Sequence, residues 1–168
     1  MKVWDVVRRR RSIRRYAGKI PEKEKIKKVL EAAIWAPSGL NNQPWKFKII
    51  KDKKVKDHLA VFTECGDVIK IAPLLICVFL DRRAVYNREK DIMAIGASIQ
   101  NIMLMACEEG LGTCWLGEIL NRKKEVEKYL GTGPDFELMA CLTLGYPKGK
   151  SAKGSRRRLK SFILNKNK

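Results

Sequence analysis

The sequence predicts an α+β fold: a mixed, mostly antiparallel sheet flanked by helices. Three observations predict it. Ile26, Val29, Leu30, Ala33 and Ile34 recur at helical spacing. Separate runs around residues 45–49, 73–80 and 136–146 have the length and composition of strands, bounded by Pro, Gly or polar residues. A long apolar stretch over residues 89–109 reads as the longest helix. No internal repeat or domain-sized linker divides the 168 residues, so residues 1–168 are expected to form one domain.

Taken in order, residues 3–10 read as a short helix or turn that leads into a basic cluster, residues 8–15. Pro21, Glu22 and Glu24 open the next helix: proline fits the first turn and acids suit the positive end of the dipole. Pro37 disfavours helical geometry before it, so that helix ends near Ala36. Residues 37–44 are polar and rich in breakers and read as a loop. Trp45, Phe47 and Ile49 alternate with lysines, the pattern of a half-buried strand. Residues 54–62 read as a short helix, and 73–80 as a fully buried central strand. The helix over 89–109 is apolar on nearly every face and so requires neighbours on every side, which a subunit interface would supply. Gly110 ends it. Residues 122–130 form a charged helix, and 136–146 a strand stopped by Pro147. Leu159, Phe162, Ile163 and Leu164 are expected to anchor a basic tail, on a partner subunit or on the same chain.

Composition narrows the function. With 45% hydrophobic and 32% charged residues, the chain has the balance of a globular protein. No apolar run is long enough to span a membrane, and no apolar leader is visible, so no membrane partner and a cytoplasmic location are expected. Five cysteines without C-x-x-C spacing argue against a disulfide framework or zinc site; Cys77, Cys107 and Cys141 read as buried thiols. His58 is the only histidine and lies in a Lys-rich stretch, so no catalytic role is assigned to it and no metal is expected. A net charge of +18 points to anionic partners: phosphorylated cofactors, nucleic acid or acidic surfaces. An abundance of Lys and Glu also fits a thermophile's surface, with no ligand involved.

Two segments could carry chemistry. Arg10, Arg11, Ser12 and Arg14 place forked guanidiniums and a hydroxyl close together, a set suited to phosphate and equally compatible with a solvated basic stretch. Pro37, Ser38, Gly39, Asn41, Asn42 and Gln43 offer amide and hydroxyl groups without charge, suited to a heterocycle with donor and acceptor edges. The sequence from Gly110 to Trp115 begins like a dinucleotide fingerprint, but it lacks the third glycine and follows a helix.

The pair of segments, R-R-S-x-R followed after one helix by A-P-S-x-x-N-x-Q-P-W, resembles the nitroreductase-like flavoprotein family. Residues 95–104, 109–117 and 144–147, and the pair Arg156 and Leu159, resemble its later signatures, so the likeness runs from about residue 3 to 163. The resemblance implies an interlocked homodimer with FMN at the subunit interface. Arg10, Arg11, Ser12 and Arg14 would hold the phosphate and ribityl chain, with Arg156 adding to the phosphate site and Arg158 as the alternative register. Pro37, Ser38, Gly39 and Asn41 would come from the other subunit. Trp115, Leu116 and Gly117 would pass near the ring, with a backbone N–H of that turn donating to flavin N5. Residues 59–68 are shorter than the matching part of many members, which leaves the contacts to the pyrimidine edge unassigned.

The activity implied is ping-pong hydride transfer through flavin N5, from NADH or NADPH to a small-molecule acceptor: a nitroaromatic, a quinone or a flavin. No protein acid or base is required, because the cofactor carries the chemistry. Two other readings stand beside it. One is a basic nucleic-acid-binding protein, resting on the charge and on the clusters at residues 8–15 and 153–160. Against it, no nucleic-acid module is recognisable and the aromatics do not interleave with the basic residues. The other is a flavin-binding protein without general reductase activity.

Overall fold

The protein is described by a computed structural model covering residues 2–149, 151 and 153–164. Helix α1 spans Val3–Arg9, α2 Lys23–Ile34, α3 Lys53–Leu59, α4 Gly66–Ile71, α5 Arg88–Glu108 and α6 Lys123–Leu130. Strands β1 (Trp45–Ile50), β2 (Leu74–Asp81), β3 (Gly112–Leu116) and β4 (Phe136–Gly145) form a four-stranded sheet in the order β1-β2-β4-β3. Each neighbouring pair is antiparallel. A parallel bridge from Ser12 to Thr113 adds a short segment beside β3.

Side-chain alternation along β2 explains why all eight of its residues are buried. Leu74, Ile76, Val78 and Leu80 face a core closed by α2 and α5, through Ile26, Val29, Ile95, Ile99 and Ile102. Leu75, Cys77 and Phe79 face a second core with Leu59, Ile69 and Val126 from α3, α4 and α6. A sheet covered on both faces requires such uninterrupted apolar runs.

Four features depart from the sequence reading. Only Trp45 and Phe47 of the expected alternation pack into the first core; Ile49 is left exposed, and Ile50 is buried on the opposite face. Residues 112–116, read as part of a turn, form β3, which pairs with β4. Helix α4 was not anticipated, since its six residues are too few for a periodic signal. Within one chain α5 is not buried all round: Ile92, Met93 and Gln100 face outward. The tail residues Leu159, Phe162, Ile163 and Leu164 are exposed as well. Residues 165–168 lie outside the described residues.

Candidate functional site

The basic segment is pinned to the edge of the sheet. After α1 ends at Arg9, the Ile13 amide donates to Thr113 O (2.8 Å) and the Ala17 amide to Tyr146 O (2.8 Å). The Tyr16 hydroxyl lies 2.6 Å from both Ile13 O and Thr143 Oγ1. Burial raises its pKa far above the ordinary value, which keeps it a neutral donor. Close approach to β3 requires Gly112: a Cβ there would lie 2.5 Å from Ile13 Cγ1.

Beside this segment lies a cleft of about 1080 Å³. Residues 8–12 form one wall, Gln100 and Met103 of α5 another, and Trp4, Trp115, Gly154 and Arg156 complete it. Of the residues singled out in the sequence, Arg10, Arg11, Ser12, Trp115 and Arg156 meet here. Asp5 is the acid among the lining residues. Among the described residues, Arg8, Arg10, Arg11 and Arg156 form no ion pair, so the wall carries uncompensated positive charge.

Other expected residues lie elsewhere. Arg14 lines a separate recess of about 140 Å³ with Arg15, Pro147 and Lys148. Leu116 is buried in the second core, so only its backbone is available to a ligand, whereas Trp115, one residue earlier, is 42% exposed. Gly117 is exposed and opens the 3-10 turn Glu118–Arg122. Arg157 lies over the Phe162 ring at 4.7 Å, and Arg158 precedes the turn Leu159–Phe162; neither lines the cleft.

The loop over residues 37–43 holds an uncommon backbone. Leu40 (φ 54°), Asn41 (φ 54°) and Gln43 (φ 48°) occupy the left-handed region without being glycine. Local hydrogen bonds stabilise it: the Gln43 amide donates to Ser38 Oγ (3.0 Å) and the Asn42 amide to Gly39 O (3.0 Å). Gly39 lies against Tyr86, where a Cβ would be 1.9 Å from the phenol oxygen. Pro37, Ser38 and Gly39 do not reach the large cleft of their own chain. They line a shallow recess of about 250 Å³ with Lys90, Met93, Ala94 and Ala97 of α5. Asn41 is exposed beside them.

Sequence reasoning missed Gln100, Met103, Gly154 and the buried Asp91. Gln100, Met103 and Asp91 sit in α5 like ordinary core or surface residues of a helix, and Gly154 lies in an irregular tail, so no local signal marks any of them. His58 is exposed and stacks on Tyr129 with ring centroids 3.9 Å apart, away from the cleft.

The sequence model of the Nitroreductase family matches residues 7–65 and 62–146. The chain belongs to the nitroreductase family. A solved nitroreductase from Desulfovibrio desulfuricans, in complex with FMN, is similar to it with a TM-score of 0.94 and 41% identity, over 99% of this chain and 98% of that one. A protein of Archaeoglobus fulgidus, named as an NADH dehydrogenase/NAD(P)H nitroreductase, is 32% identical over 142 residues, 83% of this chain and 82% of its own. An iodotyrosine deiodinase of Thermotoga neapolitana is 30% identical over 171 residues, 86% of this chain and 88% of its own. The expected nitroreductase fold is thereby established for this family member. Among the described residues, no helix is long and apolar enough to cross a membrane.

Proposed function

We propose that this nitroreductase-family protein is an FMN-dependent oxidoreductase that uses NADH or NADPH to reduce a small aromatic or quinoid acceptor, and that it works as a homodimer. The observation that carries this reading is the cationic cleft in which Arg10, Ser12 and Arg156 meet Trp115. Its volume, about 1080 Å³, is at the upper end for small-ligand sites. Uncompensated guanidiniums suit a phosphate dianion, and an exposed aromatic suits a flat ring. The FMN complex of the similar D. desulfuricans protein supports the same cofactor.

Arg10, Ser12 and Arg156 would bind the phosphate, and Trp115 and the backbone of Leu116 and Gly117 would flank the ring. Arg14 is proposed as a further cation near the phosphate, acting from its own recess. When bound, FMN supplies two-electron chemistry between the nicotinamide and the acceptor. No side chain of this chain is needed as an acid or base.

The homodimer accounts for the loop over residues 37–43. Pro37, Ser38, Gly39 and Asn41 do not line the cleft of their own chain; a second copy would carry them to the cleft of the first. Trp4, Trp35, Leu40 and Met93, all more than 60% exposed, give that contact an apolar surface. Free cysteines throughout the described residues fit the reducing cytoplasm.

The acceptor is the open choice within this reading: relatives bear both nitroreductase and deiodinase names. A visible spectrum of the purified protein, before and after anaerobic NADH or NADPH, tests the proposal. Flavin bands that bleach support it. Bands that persist with both nucleotides favour a flavin-binding protein without reductase activity. A protein that stays colourless after incubation with FMN overturns the cofactor assignment.

A further inference from the structure

The Arg11 side chain is directed toward its own backbone. Its Nη1 donates to Arg8 O (2.6 Å) and to Arg10 O (2.8 Å). Its Nε is buried with no hydrogen-bond partner among the described residues. Across the guanidinium lies the tail: a Cβ on Gly154 would sit 2.6 Å from Arg11 Cζ and 2.7 Å from Nη2. Without a side chain at 154 the tail backbone lies close against that plane; any Cβ there would press on the guanidinium. Two residues further on, Arg156 lines the cleft, with its Nη1 donating to Ser155 O (2.6 Å). Arg157 is turned aside onto Phe162, and the Arg158 carbonyl accepts from both the amide and the hydroxyl of Ser161 (2.9 Å each). Of the three consecutive arginines beyond this close approach at Gly154, Arg156 alone lines the cleft.

We propose that Arg11 is a positioning residue: held by the Arg8 and Arg10 carbonyls and covered by Gly154, it seats the tail so that Arg156 reaches the phosphate of the bound cofactor. The inference rests on the FMN reading above. It replaces the role expected for Arg11 from the sequence, direct contact with the phosphate. A guanidinium that donates to two carbonyls and is closed over by backbone has less of its donor fork left for an anion.

The test compares FMN with riboflavin, which has the same ring and no phosphate, by quenching of flavin fluorescence. The variants are R11A, G154V, R156A and the doubles R11A/R156A and G154V/R156A. G154V removes no charge; a branched side chain must lift either the tail or the guanidinium. Loss of one charge-assisted contact should weaken FMN about tenfold in R156A. R11A and G154V should each weaken FMN severalfold and leave riboflavin affinity unchanged. Neither should add to R156A, because their effect passes through that residue.

R11A that adds its full effect to R156A would show that Arg11 meets the phosphate independently, and would overturn the inference. G154V with wild-type FMN affinity would overturn it as well. Unchanged riboflavin binding guards against general misfolding: if both flavins weaken equally, the seat does not act on the phosphate. A wild-type protein that binds FMN no better than riboflavin would instead sink the FMN reading itself.

Discussion

Asn42 Nδ2 donates to Asp91 Oδ1 at 2.7 Å, joining the loop over residues 37–43 to the first turn of α5. Asp91 is fully buried, and its second oxygen accepts from the Tyr86 and Asn87 amides (3.1 Å each). Asn42 also donates to Ala84 O (2.9 Å). A buried carboxylate that accepts three donors is costly to leave unmatched. This anchor offsets the strain of the left-handed residues on either side of Asn42. Asn42→Ala should therefore lower stability by roughly 1–3 kcal/mol in urea unfolding. It should also weaken FMN binding, because the loop is proposed to reach the partner's cleft. Wild-type stability in this variant would show that the loop holds its shape without the anchor.

Gly112 and Ile13 test whether the basic segment must lie tight on β3. A Cβ at residue 112 would lie 2.7 Å from Ile13 Cβ, an atom that no rotation of the Ile13 side chain can move. Gly112→Ala should destabilise by about 1–3 kcal/mol through overpacking, and should displace Arg10 and Ser12 from the cleft wall. Calorimetry and FMN titration would check both effects. The double variant G112A/I13G, which removes that Cβ, should recover much of the loss. Failure to recover would place the cost in the strand itself and not in the contact with Ile13.

The general outline was readable because burial imposes period. The continuous apolar run of β2 and the helical spacing of α2 could pack in few other ways. The loop with its breakers and the arginine stretch were also legible, as chemistry. What the sequence could not convey was placement. Three consecutive arginines at 156–158 differ only in what lies beneath them, and Gly154 meets Arg11 from far along the chain. Asp91 carries no local mark, because its role depends on a loop some fifty residues earlier. Strand β3 was obscured by its length and its glycine: five residues hold too little alternation to stand out from a turn. Leu116 shows the same limit on a smaller scale, since the pleat turns it inward while Trp115 faces the cleft.

Glu137 is the centre of a charge cluster whose loss depends on pH. Arg88 donates to it through both terminal nitrogens (2.8 and 2.9 Å), Lys123 at 2.6 Å and Arg82 at 3.5 Å. The Arg88 hydrogen bonds, with help from Lys123, lower its pKa from the usual 4.5 to about 2. A depressed carboxylate stabilises the fold fully above its unfolded value, and that contribution is lost as pH falls through the folded value. Glu137→Gln should cost roughly 2–4 kcal/mol at neutral pH. The gap from wild type should narrow below about pH 4.5 and fall by about half by pH 3. A gap that stays constant between pH 7 and pH 3 would mean that the cluster stabilises through packing, not charge.

The outward face of α5 tests the proposed dimer. Met93 is 66% exposed, yet it borders the recess lined by Pro37, Ser38 and Gly39. Gln100, seven residues on, is exposed on the same side, while Ile95 and Ile99 turn away from it and are buried. A helix with apolar side chains on both faces, one of them uncovered, implies a second surface to meet. Light scattering of the purified protein should give twice the chain mass. Met93→Glu places a charge in that contact, where a desolvated and unpaired carboxylate is disfavoured by several kcal/mol. The variant should dissociate at micromolar concentration and release flavin in parallel, since the loop over residues 37–43 would leave with the partner. A monomer that keeps its flavin would show that one chain completes the site alone, with the loop serving its own chain.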